Sequence, residues 1–182
     1  MLVIFTRVEG LLRERGTGAC EFPSEVVRTL VSAQVRLVLV SESSAADVRG
    51  MQRTLGLVEP FVCDGGNSLH IPPAYFDDMP EASLNDGWER FSFGARGPAA
   101  AIRLLSALFL ARGHDRILTV GLGCDCRDAT MLGAVDVPIV VRDRDRNHVD
   151  LLRDVPGAYL TTASGAAGWL EAVIGAPAPA HA

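Results

Sequence analysis

The chain has 182 residues, 48% hydrophobic and 21% charged, a balance that suits one globular domain and excludes a disordered or fibrous chain. The net charge is −5, and Arg142, Arg144 and Arg146 alternate with Asp143 and Asp145, which argues against nucleic acid as a partner. All 17 basic residues are arginine, as GC-rich codon usage would produce, so neither a Schiff-base lysine nor a P-loop lysine can exist here.

The apolar run 2–6 reads as a strand covered on both faces. It is too short for a signal peptide, and no stretch is long enough to span a bilayer. The expectation is a cytoplasmic protein with no membrane partner and with Cys20, Cys63, Cys124 and Cys126 reduced. A glycine-rich, charged loop follows, and Pro23 opens a helix over 24–34 with Val26, Val27 and Leu30 at helical spacing. Residues 36–40 predict a second strand. Ser43 and Ser44 are candidate caps for a helix through 55. Residues 60–63 predict a short strand, Asp64-Gly-Gly-Asn67 a turn, and 68–71 a strand leaving it.

Residues 72–92 hold three prolines, several acids and no clear period, and read as an irregular excursion. An apolar helix is expected over 97–112, a strand over 116–121, a short helix over 128–135 and a strand over 137–141. A helix over 147–153, a strand over 158–161 and a helix over 166–174 complete the pattern, and the Ala/Pro-rich tail 176–182 reads as disordered. Strands alternating with helices predict an α/β fold, a three-layer Rossmann-like parallel sheet with helices on both faces. Ligands of such sheets bind beyond the carboxyl ends of the strands, which directs attention to residues 7–10, 41–44, 64–67 and 121–128.

Four segments carry a family likeness. Val3-Ile-Phe-Thr-Arg-Val-Glu-Gly-Leu-Leu12 is similar to Val-Ile-Phe-Thr-Asp-x-Asp-Gly-x-Leu, and Leu37-Val-Leu-Val-Ser41 to a second motif ending in Ser or Thr. Phe93-Gly-Ala-Arg-Gly97 stands where a lysine is expected. Gly121-Leu-Gly-Cys-Asp-Cys-Arg-Asp-Ala-Thr-Met-Leu132 is similar to Gly-Leu-Gly-Asp-Ser-x-Asn-Asp-x-x-Met-Leu. In this order they resemble the haloacid-dehalogenase (HAD) phosphatases. Residues 134–142, 166–172 and the 64–67 turn look most like the mannosyl-3-phosphoglycerate phosphatase branch. The resemblance spans the chain except 72–92. It implies a single HAD-like core over 1–175, with the cap domain reduced to a short insertion at 72–92.

In that family the first aspartate attacks phosphorus, the second protonates the leaving group, and Mg²⁺ is held by the first carboxylate and acids of the last motif. Here Arg7 takes the nucleophile position and Glu9 the acid/base position. A guanidinium is not a nucleophile and places positive charge where the cation would sit. Ser41 and Arg96 keep phosphate-binding chemistry. Cys124 replaces the first acid, Asp125 comes one place late and Asp128 matches the second, so a metal site on Asp125 and Asp128 is expected to be weak or absent. Arg7 is expected to pair with Asp128 or Asp125 in place of the ion. Cys124 and Cys126, with Cys63 and His70 within conceivable reach, admit a soft-metal site, a thiolate activated by Arg7 or Arg127, or plain reduced thiols.

Three readings of function follow. The first is a pseudo-phosphatase, binding a phosphorylated small molecule or a partner without hydrolysing it. The second is a weakened Mg²⁺-dependent phosphohydrolase acting on a small phosphate ester. The third is an interaction module that forms a homodimer through 72–92, where Tyr75, Phe76, Trp88 and Phe91 lie.

Overall fold

The computed structural model describes residues 1–14, 24–76, 83–85, 88–94, 97–113, 116–145 and 147–175. Arg96 and the tail 176–182 lie outside the described residues.

Strand β1 (Leu2–Arg7) organises the molecule because its side chains alternate between two cores. Leu2 and Ile4 enter one, Val3 and Phe5 the other, as a strand covered on both faces requires. It pairs in parallel with β2 (Arg36–Val40) on one side and β7 (Leu118–Gly123) on the other. Strands β3 (Phe61–Cys63), β8 (Val137–Arg142) and β9 (Tyr159–Ser164) extend the parallel part, and β4 (Ser68–Ile71), β6 (Trp88–Ser92) and β5 (Ser83–Asn85) add an antiparallel edge. The nine-stranded order is β5-β6-β4-β3-β2-β1-β7-β8-β9.

Helices cover both faces. On one side α1 (Ser24–Ser32), α2 (Ala45–Leu55) and α6 (Gly165–Gly175) supply Val27, Val48 and Trp169 to the core around Ile4, Leu37 and Leu39. On the other, α3 (Gly97–Ala111), α4 (Ala129–Leu132) and α5 (His148–Asp154) supply Leu105, Met131 and Leu151 against Val3, Phe5 and Val38. The three-layer α/β class is therefore the one expected from the alternation of elements. Ser44 caps α2 by accepting from the Asp47 amide at 3.3 Å, and Gly56, at φ 68°, closes it by donating to Arg53 and Gln52 carbonyls. No helix among the described residues is long and apolar enough to cross a membrane.

Two segments differ from the sequence expectation. Part of 72–92 is regular: β5 and β6 form a hairpin whose second strand pairs with β4, matching Leu69 to Phe91 and His70 to Arg90. Its alternation mixes Trp88 and Arg90 on one side with Glu89 and Phe91 on the other, which blurs the polar/apolar period. The Gly-Leu-Gly of the last motif lies inside β7, not in the loop after it. A Cβ on Gly121 would come within 2.9 Å of Val135 and 3.0 Å of Leu132, so the bare glycine lets the segment around α4 lie against the strand.

Candidate functional site

The carboxyl ends of β1, β2 and β7 lie side by side, because β1 sits between the other two. Thr6 turns toward α6, where the Trp169 indole donates a 2.9 Å hydrogen bond to its hydroxyl. Arg7 turns to the opposite face and is 3% exposed. The chain then folds back on itself. The Val8 amide donates to the Val40 carbonyl at 3.0 Å, and the Val8 carbonyl accepts from the amides of Leu11, Leu12 and Arg13. Gly10 takes φ 82°, a conformation natural to glycine. Buried Leu11 and Leu12 anchor this turn and leave Glu9 over the end of β2.

Arg7 is surrounded by carboxylates from three strand ends. Its Nε lies 3.1 Å from Glu9 Oε2, its Nη2 2.5 Å from Glu42 Oε1, and its Nη1 3.5 Å from Asp128 Oδ1. Nε, Nη2, Glu9 Oε2 and Asp128 Oδ1 lack hydrogen-bond geometry, so the attraction there is coulombic rather than directional. Burial opposes the guanidinium charge, but Asp128, Glu9 and Glu42 outweigh it and hold Arg7 above its ordinary pKa.

Glu9 reaches a second set of partners with its other oxygen. Oε1 accepts from the Ser41 hydroxyl at 2.5 Å, the Glu42 amide at 3.2 Å and the Ser43 hydroxyl at 3.4 Å. Ser41 is fully buried, and its own oxygen accepts from the Ser43 amide at 3.0 Å. These converging donors make a nest for one anionic oxygen, and a carboxylate of the chain itself sits in it.

At the end of β7, Asp125 caps a 3-10 turn over Cys126–Asp128. Its Oδ1 accepts from the Arg127 amide at 2.9 Å and from Arg127 Nε at 3.2 Å, and its Oδ2 from Nη2 at 2.7 Å. Asp128 Oδ2 accepts from the amides of Cys124 and Asp125, at 2.8 and 3.2 Å. A Cβ on Gly123 would stand 2.6 Å from the Asp128 Cβ, so this glycine makes room for the acid. Burial pushes the Asp128 carboxyl above its ordinary pKa, against the pull of Arg7 and the two amides. Arg127 also bonds Glu42, which thus bridges both arginines. The Cys124 thiol donates to the Glu9 carbonyl at 3.6 Å. Cys124 and Cys63 are buried and Cys126 is exposed.

The structure therefore brings Arg7, Glu9, Ser41, Asp125 and Asp128 together, and the carboxylate facing Arg7 from β7 is Asp128, while Asp125 serves Arg127. Sequence reasoning missed Glu42 as the bridging acid. Its signal was the place directly after Ser41, at the end of a parallel strand. Cys124 lies with Asp125 and Asp128, and Cys63 with Asp64 and His70, while Cys126 belongs to neither group and Cys20 lies outside the described residues.

Ligand atoms of Cys124, Asp125 and Asp128 lie within 4.8 Å of one another. Mg²⁺ wants near-octahedral oxygen ligands. Here one donor is a thiol, one carboxylate is clamped by Arg127 and the other faces Arg7. This donor set does not fit Mg²⁺, because one donor is a thiol and a guanidinium group already stands against each carboxylate. A nearby cavity of about 300 Å³, lined by Gly10, Leu11, Glu14, Asp143 and Arg144 among others, includes none of Arg7, Ser41 and Asp128.

No protein-family model and no curated protein sequence matches the chain. Solved structures do. A haloacid dehalogenase-like hydrolase protein from Bacillus subtilis superposes with a TM-score of 0.59 at 8% identity, covering 94% of this chain and 88% of that one. A HAD subclass IIB sugar phosphatase gives 0.59 at 9%, covering 88% and 93%. The cobalt-bound deoxy-D-mannose-octulosonate 8-phosphate phosphatase from Haemophilus influenzae gives 0.56 at 13%, covering 90% and 79%. At these identities the likeness defines the fold, which is that of the HAD-like hydrolases.

Proposed function

We propose that this chain is a HAD-fold pseudo-phosphatase, a phosphatase homologue that has lost hydrolysis and retains the fold for binding. The observation that carries the reading is Arg7, held among Glu9, Glu42 and Asp128 at the end of β1. Phosphoryl transfer of the kind the fold hosts needs a nucleophile and neutralisation of the phosphoryl oxygens. A guanidinium cannot attack phosphorus. The two arginines of the cluster face four carboxylates, so excess negative charge opposes a phosphate dianion. A phosphate at Ser41 would also have to displace Glu9. These points weigh toward a macromolecular partner over a phosphorylated small molecule, and against Mg²⁺ as a resident ion. Descent from the mannosyl-3-phosphoglycerate phosphatase branch belongs to this proposal on residues 134–142 and 166–172. That substrate does not, because 72–92 is too short to close over a sugar phosphate.

The test is hydrolysis of p-nitrophenyl phosphate with and without Mg²⁺. The expected result is no turnover above buffer, and no change in melting temperature on adding Mg²⁺. Mg²⁺-dependent turnover abolished by Asp128→Ala would replace this reading with that of a weakened phosphohydrolase. Self-association through 72–92 has one supporting observation: among the described residues β5 ends the sheet, with β6 as its one neighbour. Sedimentation velocity over a range of concentrations checks it.

A further inference from the structure

A second cluster lies on the β3–β4 hairpin and owes nothing to the reading of Arg7. The turn after Cys63 reverses the chain so that Phe61 pairs with His70 and Cys63 with Ser68. Strand alternation then places Cys63 and His70 on one face, diagonal to each other. Asp64 opens the turn at φ 53°, and the Cys63 thiol lies 3.5 Å from its Oδ2. The sulfur, an Asp64 carboxylate oxygen and a His70 ring nitrogen are all within 4.8 Å of one another.

His70 is the informative member. It is 1% exposed, and neither Nδ1 nor Nε2 has a hydrogen-bond partner among the described residues. Buried imidazoles ordinarily satisfy at least one nitrogen. Its ring stacks on Phe61, with centroids 5.0 Å apart and planes within 3°. Stacking fixes the ring but leaves the nitrogen lone pair unused. Burial, helped by Arg90 and Arg49, lowers the His70 pKa and keeps that lone pair available.

We propose that Cys63, Asp64 and His70 bind a borderline-soft divalent cation of the Zn²⁺ class. Thiolate, imidazole and carboxylate are the donors such an ion takes, and three protein ligands leave a fourth tetrahedral position for water on the exposed Asp64 side. Thiolate and carboxylate together balance the charge of the ion, and the thiol proton leaves to solvent as sulfur binds. Arg90 and Arg49 oppose the ion and hold the affinity below that of a closed four-ligand site. Once bound, it would tie β3 and β4 together where the parallel sheet meets its antiparallel edge.

Titration of the full chain with Co²⁺ tests this. The expected result is one equivalent bound with thiolate-to-cobalt charge-transfer absorption, displaced by Zn²⁺. Affinity should fall by at least about tenfold, the loss that even outer-shell partners cause, in Cys63→Ser and in Asp64→Asn, and stay unchanged in Cys124→Ser. Asparagine tolerates the positive φ of position 64, so Asp64→Asn decides the matter if Cys63→Ser fails to fold. Absence of the charge-transfer band, its survival in Cys63→Ser, its loss in Cys124→Ser, or unaltered affinity in Asp64→Asn would each overturn the proposal.

Discussion

Glu9 and Ser41 share a 2.5 Å hydrogen bond between the loop after β1 and the end of β2. The Ser41 proton is thereby committed to a carboxylate of the same chain. Removing that carboxylate leaves the hydroxyls of Ser41 and Ser43, the Glu42 amide and Arg7 facing an open position. Glu9→Ala is expected to bind inorganic phosphate at least about tenfold more tightly than wild type, or roughly 1.4 kcal/mol. Calorimetry or phosphorus NMR measures this. Equal affinities would mean that the nest does not receive anions.

Arg7 is the shared counter-ion of three acids, one of them fully buried. Taking away one partner of a buried ion pair costs about 3–5 kcal/mol, because the others stay uncompensated. Arg7→Met should lower unfolding stability in urea by about 3 kcal/mol, with some relief from the half-exposed Glu42. A change near zero would show that the cluster is already screened by water.

Arg7→Asp installs the aspartate that the similar motif of the HAD phosphatases carries at this position. No turnover of p-nitrophenyl phosphate is expected from it, since Cys124 still replaces an acid and Asp125 remains clamped by Arg127. Brisk Mg²⁺-dependent hydrolysis by this variant would mean that Arg7 alone holds back turnover.

Asp128 gives a pH signature. Burial raises its folded-state pKa, and the like charge of Asp125 adds to this, while Arg7 and the Cys124 and Asp125 amides offset part of the rise. The folded protein therefore holds this proton more tightly than the unfolded chain. Its contribution to stability is fully present below the unfolded value near pH 4 and is lost as pH rises through the raised folded pKa. Asp128→Asn lacks this titration. Urea unfolding of both proteins across the acidic range should show wild type losing ground to the variant as pH increases. A difference that is flat, or that moves the other way, would contradict the burial argument.

Thr6 supplies the acceptor for the fully buried Trp169 indole. Thr6→Val keeps the shape but strands that donor, at a cost of about 1–3 kcal/mol. In a Trp169→Phe background the same change should cost close to nothing. A double-mutant cycle measures the coupling, and additive effects would show that the bond contributes little.

Much of the architecture could be read from the chain because local and global signals agree. Val3-Ile-Phe and Leu37-Val-Leu-Val are apolar on both faces, as buried parallel strands must be, and each is followed by a polar residue at its carboxyl end. The Arg7–Asp128 pairing was also accessible, since the two motifs end neighbouring strands. Glu42 and Arg127 were harder. Their link crosses three strand ends, and the lateral order β2-β1-β7 places residues far apart in sequence beside one another. The approach of Cys63 to His70 depends on the hairpin offset. Asp64-Gly-Gly-Asn67 announces a reversal but not which residues face each other across it. Arg96 had charge and motif position in its favour, but it lies outside the described residues.

The two charges that a catalytic version of this fold would borrow from solution, one from a metal and one from a substrate, are here tethered to the backbone as Arg7 and Glu9. Dialysis, chelators or a swing in cellular magnesium cannot strip them away. If a partner docks over Arg7 and Glu9 as proposed, it meets these two charges whatever the magnesium supply.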